Sequence, residues 1–501
     1  MTDPTPLQLD GASLTIAELL DVAEGGRRVR LAPAARTRMR ESAAIVTGLV
    51  ERGAAVYGVT TGFGKLSDIA IPADQLAQLQ VNLVRSHAAG VGPRLPTREV
   101  RAMMVLRANV LAKGFSGARP DLVDLLCGML DAGLHPLVPE QGSVGASGDL
   151  APLAHLALAL IGEGELRSAE RTGPAAALLA AAGLAPVVLG PKEGLSLING
   201  TQAHTAVAAL ALEGARRCWR TAHAAGAASL EALLGTPTAF DPRIHAARGQ
   251  REQQESAALL LELLADSEIR ESHRERDPRV QDAYALRCMP QVHGPVLAAI
   301  RFAESLISAE LNAATDNPLV FDDGTMLSGG NFHGQAVAMA LDVLAIAMTN
   351  LATMSERRID RLVHPDLNEG LPPFLTATAG VSSGFMMAQV TAAAITSECK
   401  VLSHPASVDS IPTDGSKEDV VPMAMGAAIK LRRILHNVQH VLAIELMCAA
   451  QGLESRRPLR AGVGVERAYA TVRALVPALV EDRVLGPDIE RIAGAVAAGA
   501  F

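Results

Sequence analysis

An all-α fold, an elongated bundle of long helices behind a loop-rich N-terminal domain, is what this sequence predicts, on three observations. The segments 200–235, 294–312, 335–358, 384–401 and 422–451 are rich in Ala, Leu, Met and Glu, strong helix formers over lengths above the mean helix. The run 335–354 is apolar on nearly every face, so other helices must surround it, either from one chain or more completely from an oligomer core. The first third is instead punctuated by turn signals at Gly58, Gly62-Phe63-Gly64, Gly90 to Pro93, Gly114 and Gly142 to Gly148, which predict short elements and shaped loops. The expected division is residues 1–198 and residues 199–501.

Composition bounds the class. A chain of 501 residues removes roughly three quarters of its surface from water on folding. With 49% hydrophobic and 20% charged residues it lies in the ordinary globular range. Net charge is -8, and the Arg-rich stretch Arg270 to Arg279 is interleaved with Glu271, Glu275 and Asp277, so no one-signed basic face for nucleic acid is expected. The five cysteines are scattered without CxxC spacing, which suggests neither a disulfide framework nor a zinc site. Met1-Thr2-Asp3-Pro4 does not open a secretory pattern, and the apolar stretches 174–191 and 335–354 are Ala-rich and interrupted. The expectation is a cytoplasmic protein with no membrane partner.

The most unusual segment runs from Gly142 to Leu153, Gly-Ser-Val-Gly-Ala-Ser-Gly-Asp-Leu-Ala-Pro-Leu. As plain structure it is a loop leading into a helix, with Asp149 as cap and Pro152 in the first turn. A phosphate loop and a hydrolase elbow both fail on spelling, because Asp149 follows Gly148. A third reading is chemical. In Ala146-Ser147-Gly148 the glycine nitrogen can attack the alanine carbonyl, since glycine tolerates the tight geometry. Loss of water closes a five-membered ring, and loss of the Ser147 hydroxyl adds an exocyclic methylene, an electrophile no ordinary side chain provides.

This run resembles the signature of the aromatic amino acid ammonia-lyase family, whose Ala-Ser-Gly triad forms 4-methylideneimidazole-5-one with no external cofactor. Further blocks agree in order: Tyr57 to Gly64, Asn82 to Gly92, Leu197 to Thr201, Gln281 to Gln291, Asp316-Asn317-Pro318 and Ser328 to His333. The resemblance implies an all-helical elongated subunit in a homotetramer with sites shared between chains. Ser86-His87 matches the family's histidine-specific branch, where tyrosine and phenylalanine enzymes carry His-Leu or Phe-Leu. The implied reaction is non-oxidative elimination of ammonia from L-histidine to trans-urocanate, the first step of histidine degradation.

Residue roles follow from the same resemblance. Tyr57 matches the base for the β-proton. An ordinary phenol has pKa near 10, and about 4 kcal/mol of preferential phenolate stabilisation is needed to bring it to 7. Positive helix ends are one source of that stabilisation. His87 offers a hydrogen-bonding partner to an imidazole; by itself it reads rather as a helix C-cap. Gln281, Tyr284 and Arg287, at i, i+3 and i+6, would share one helix face, with Arg287 suited to bidentate grip of a carboxylate. Asn199 joins that grip, and Phe332 lines the pocket or fills a core. Glu418 contacts the substrate's imidazole or amino group; by itself it reads as an acidic first turn of a long helix. Lys417, Val420 and Pro422 depart from the family's usual spelling there. His436 and His440, at i and i+4, read as structural rather than as a metal site. Rival readings are a tyrosine or phenylalanine ammonia-lyase or aminomutase, a non-catalytic helical scaffold, and the fumarase-aspartase group, whose serine loop is not found.

Overall fold

The structure, a computed structural model, describes residues 5–501 except 55, 276 and 278. The N-terminal tetrapeptide Met1 to Pro4, read above as lacking a secretory pattern, and Arg276 of the Arg-rich stretch lie outside the described residues. Nineteen α-helices carry the described chain, with strands confined to small two- and three-stranded sheets. The all-α expectation is met.

Of the long segments, four correspond closely: Gln202–Ala232, Gln335–Val363, Met386–Leu402 and Ala424–Glu454. The fifth, Met289–Glu310, begins earlier than expected and carries Pro295 inside it, so it is not an uninterrupted rod former. The apolar helix Gln335–Val363 is, among the described residues, the one helix long and apolar enough to cross a membrane, and 67% of its most apolar window is buried. Met339 and Ile346 nevertheless stand exposed on it.

Two compact units divide the chain, each assembled from separate stretches. The first comprises Met1–Leu210, Glu304–Asp342 and Pro405–Ile429. Its core is the helix Thr97–Ala112, buried from Glu99 to Ala112, against which Ile16–Ala23 and Pro120–Asp131 pack. A second group matters more for chemistry. Helices Leu76–His87, Ala151–Leu160 and Glu193–Ile198 pack against one another. Their adjoining ends carry His87, the loop before Ala151, and Asn199.

The second unit comprises Ala211–Ala303, Val343–His404 and Lys430–Phe501. Its helices enclose a fully buried ion pair, Arg358 Nε to Glu445 Oε1 at 2.5 Å, with the Ser229 and Ser355 hydroxyls also donating to Glu445. A charge buried in this way is tolerated because its remaining lone pairs are satisfied, and removing one partner costs about 3–5 kcal/mol.

Candidate active site

The loop from Gly142 to Gly148 is shaped by left-handed glycines, with φ +134 at Gly142, +76 at Gly145 and +72 at Gly148. A Cβ on Gly148 would collide with the Gly200 backbone, with which it forms an isolated bridge. Only glycine fits there on both counts. The next residue continues the contact, Asp149 N donating to Gly200 O at 2.7 Å. Beneath it, the fully buried guanidinium of Arg107 donates to Ser196 O and Asn199 O, holding the far side of this junction. Burial pulls that guanidinium down to about 10, against the opposing charges of Asp316 and Asp149.

Asp149 does not cap the helix that follows it. The N-cap of Ala151–Leu160 is Leu150, at φ +44 and without a side-chain cap, while Pro152 does occupy the first turn. The Asp149 carboxylate instead caps Gln202–Ala232: Oδ2 accepts from Ala203 N at 2.6 Å and His204 N at 3.2 Å, and Oδ1 pairs with His204 Nδ1 at 2.8 Å. Burial pulls the His204 imidazole down, but its pairing with Asp149 outweighs this and the net direction is up. The expectation failed because the helix that Asp149 satisfies is a spatial neighbour, not its successor in the chain.

Ser147 faces two cavities within the first unit. One, of about 590 Å³, is walled by Leu66, Ile69, Leu83, His87 and Asn199, among others. The other, of about 490 Å³, is walled by Ala146, Phe332, His333, Lys417 and Val420. Tyr57, Gly64, Ser147, Asp414 and Glu418 belong to both. Ser147 is thus reached from an apolar side carrying His87 and from a charged side.

His87 ends its helix and serves two purposes at once. Its Nδ1 donates to Leu83 O at 2.8 Å, capping the helix from within, which leaves Nε2 as the nitrogen available to a ligand. Burial lowers its pKa, against the Leu83 hydrogen bond and the Asp414 and Glu418 charges. The neutral ring with Nδ1 protonated presents Nε2 as an acceptor.

Tyr57 sits in the turn before Gly64, whose amide donates to its hydroxyl at 3.1 Å. Burial pushes the phenol up, the Gly64 amide pulls it down, and the Asp414 and Glu418 charges push it further up. The net direction is upward, opposite to the expected help from positive helix ends. A single amide faces the oxygen, and it is outweighed.

Glu418 is not in the first turn of a helix. It lies in an extended segment bridged to Thr413, ahead of Ala424–Glu454. One carboxylate oxygen accepts from Ser147 Oγ and the other from Thr413 Oγ1. The departures from family spelling divide by position: Lys417 and Val420 wall the charged cavity, whereas Pro422 is buried against Gly145, where a Cβ would come within 3.2 Å of it. Asn199 is 5% exposed and its Oδ1 has no hydrogen-bond partner, leaving spare capacity at the cavity wall.

Gln281, Tyr284 and Arg287 belong to the second unit and line neither cavity. They do not share a helix face. The helix here is only Tyr284–Arg287, and Gln281 lies in a bend before it. The roughly two turns from Gln281 to Arg287 do not form because the helix starts only at Tyr284, and the next one begins at Met289. The guanidinium of Arg287 lies 4.5 Å over the Tyr284 ring, and that ring is 70% exposed. His440 Nδ1 bonds His436 O at 2.7 Å, and among the described residues no group of three or more His, Cys, Asp or Glu is placed to hold a metal.

Sequence reasoning missed Asp414, Asn82 and the apolar wall of Leu66, Ile69 and Ile71. Asn82 had a signal, since Leu79, Asn82, Leu83 and Ser86 fall at i, i+3, i+4 and i+7 on the helix that ends at His87. Asp414 stands four residues before Glu418, but nothing local assigns it to the cavity.

A helical fold holding an Ala-Ser-Gly loop between two cavities defines the class, and residues 14–474 match the aromatic amino acid lyase family, to which this chain belongs. The histidine ammonia-lyase of Anaeromyxobacter dehalogenans (strain 2CP-C) is 56% identical over 505 residues, covering 99% of each chain. Among solved structures, histidine ammonia-lyase from Trypanosoma cruzi is 42% identical with TM-score 0.91, covering 99% of this chain and 94% of that one. Tyrosine aminomutase from Streptomyces globisporus is 37% identical with TM-score 0.94, covering 99% and 97%.

Proposed function

We propose that this protein is a carbon-nitrogen lyase that eliminates ammonia from L-histidine to give trans-urocanate. The observation that carries the reading is His87, an imidazole whose Nδ1 is already spent on Leu83 O, so that Nε2 is left to accept from a substrate imidazole N–H. An aliphatic or phenyl ring in the same pocket would leave that nitrogen unpaired at about 1–3 kcal/mol. The curated relatives at high identity support the same substrate.

Residues 146–148 fit a 4-methylideneimidazole-5-one: Gly148 holds the positive φ with no space for a Cβ, and Ala146 is 3% exposed. That group supplies an electrophilic exocyclic carbon. The chain's own residues do the rest. His87 and Glu418 orient the imidazole, Phe332 closes the pocket, and Asn199 contributes to the carboxylate grip. Tyr57 takes the β-proton, and the substrate's own ammonium offsets the carboxylate charges that hold that phenol up. The segment 1–198 carries the ring-forming loop, and 199–501 the helical remainder.

Tyr284 and Arg287, with Gln281, complete the carboxylate site from another copy of the chain in a homotetramer. The 70% exposure of Tyr284 and a buried Arg287 Nε without a partner support this. Exposed Met387, Val390 and Val401 on Met386–Leu402 supply apolar surface for such an assembly. The family's members act without an added metal or cofactor, and cytoplasmic location follows the same reading.

Side-by-side assays with L-histidine, L-tyrosine and L-phenylalanine test the substrate: urocanate absorbance with L-histidine alone is expected, and cinnamate or coumarate formation at comparable kcat/KM overturns it. Light scattering of the purified protein is expected to give four chains.

A further inference from the structure

Two consecutive amides of one short turn point at two different side chains. In the turn Gly64–Leu66, Gly64 N donates to Tyr57 Oη at 3.1 Å, and Lys65 N donates to Asp414 Oδ1 at 3.3 Å. Asp414 lies so close to the turn that a Cβ on Gly64 would collide with its carboxylate. The turn Asp414–Ser416 packs directly on Gly64–Leu66. Asp414 itself is held at φ +48, a conformation that costs a non-glycine residue energy and persists only where surrounding contacts impose it.

We propose that Asp414 is a positioning residue for Tyr57, clamping the Gly64–Leu66 turn so that the Gly64 amide stays on the phenol oxygen. This rests on the reading of Tyr57 as the base. The groups that face Tyr57 are the Gly64 amide from its own turn and the Asp414 and Glu418 carboxylates from the segment packed on it; Lys417 lines the charged cavity and His87 the apolar one. Both carboxylates push the phenol up, and Asp414 is the one that also touches the turn.

The contact and the charge of Asp414 separate by substitution. Asp414→Asn keeps an acceptor for the Lys65 amide and removes the charge, whereas Asp414→Ala removes both. The chain contains 3 tyrosines, so the ultraviolet phenolate titration of the full protein, minus that of Tyr57→Phe, reports Tyr57 directly and requires no turnover. Thermal melts and intact mass establish that each variant is folded and its ring mature.

In Asp414→Asn the Tyr57 transition is expected to move down by roughly 0.3 pH unit or more, a modest figure because the carboxylate is partly solvated. The acidic limb of kcat/KM should follow it, with KM within about twofold. Asp414→Ala should lose about tenfold or more in kcat, and Asp414→Asn should recover most of that loss. An unmoved Tyr57 transition in Asp414→Asn, or full kcat in Asp414→Ala, overturns the assignment. A Tyr57 transition that moves while the pH–rate profile stays put leaves Asp414 as its positioning residue and removes Tyr57 as the base.

Discussion

Ser147 and Glu418, 271 positions apart in the chain, are joined by a hydrogen bond from Ser147 Oγ to Glu418 Oε1. The Ser147 hydroxyl, which the proposed ring formation would expel, is therefore held by a carboxylate from a distant segment of the same compact unit. That segment also brings Asp414, so the acidic wall of the site and the contact to the ring loop arrive together.

Replacing the serine isolates the electrophile. Ser147→Ala supplies no leaving hydroxyl but keeps the loop's glycines and the Asp149 cap. The melting temperature should change little while turnover of L-histidine falls by roughly 10³-fold or more. A near-normal rate in Ser147→Ala would remove the covalent electrophile from the reading.

Gly148 tests whether loop shape is needed for condensation. Gly148→Ala must place a Cβ against the Gly200 backbone at φ +72, at a cost of about 1–3 kcal/mol before any collision is relieved. Intact mass of the soluble variant should match the unmodified sequence, whereas wild type should be two waters lighter. An alanine variant two waters lighter would contradict the geometry.

Substrate choice is assigned to one ring nitrogen. His87→Phe should lower kcat/KM for L-histidine by roughly 10–100-fold, the worth of one buried hydrogen bond, and raise it for L-phenylalanine. Competition between the two amino acids reads the ratio directly. Unchanged discrimination would place specificity elsewhere on the cavity wall.

A fourth expectation concerns stability against pH, away from the site. Burial, with Arg101 and Arg167 nearby, pulls His135 down to about 4, and Arg101 Nη1 lies 2.9 Å from its Nε2. Its folded pKa lies below the unfolded value near 6.5, so its contribution is complete above pH 6.5 and is lost as pH falls from there toward 4. The loss reaches up to ~3 kcal/mol. Denaturant melts across that window should show His135→Gln, which keeps an acceptor for Arg101 but does not titrate, losing less stability than wild type.

What the sequence determined by itself was whatever depends on neighbours along the chain. The long helices follow from composition summed over many residues, and the proposal of a ring-forming tripeptide from the order Ala146-Ser147-Gly148, where a glycine must lie two residues from the carbonyl it attacks. The capacity of His87 to end a helix was legible for the same reason.

Only the tertiary structure decided which groups meet across space. Asp149 satisfies the amides of Ala203 and His204 rather than those of its own helix, Glu418 reaches Ser147 from an extended segment, and Asp414 reaches Lys65, 349 positions away. Gln281 lies off the helix it was assigned to because Tyr284, not Gln281, begins it. Hydrogen-bond partners and charges act at a few ångströms whatever the sequence separation, so these pairings exist only once the helix ends at His87, Ala151 and Ile198 have packed together.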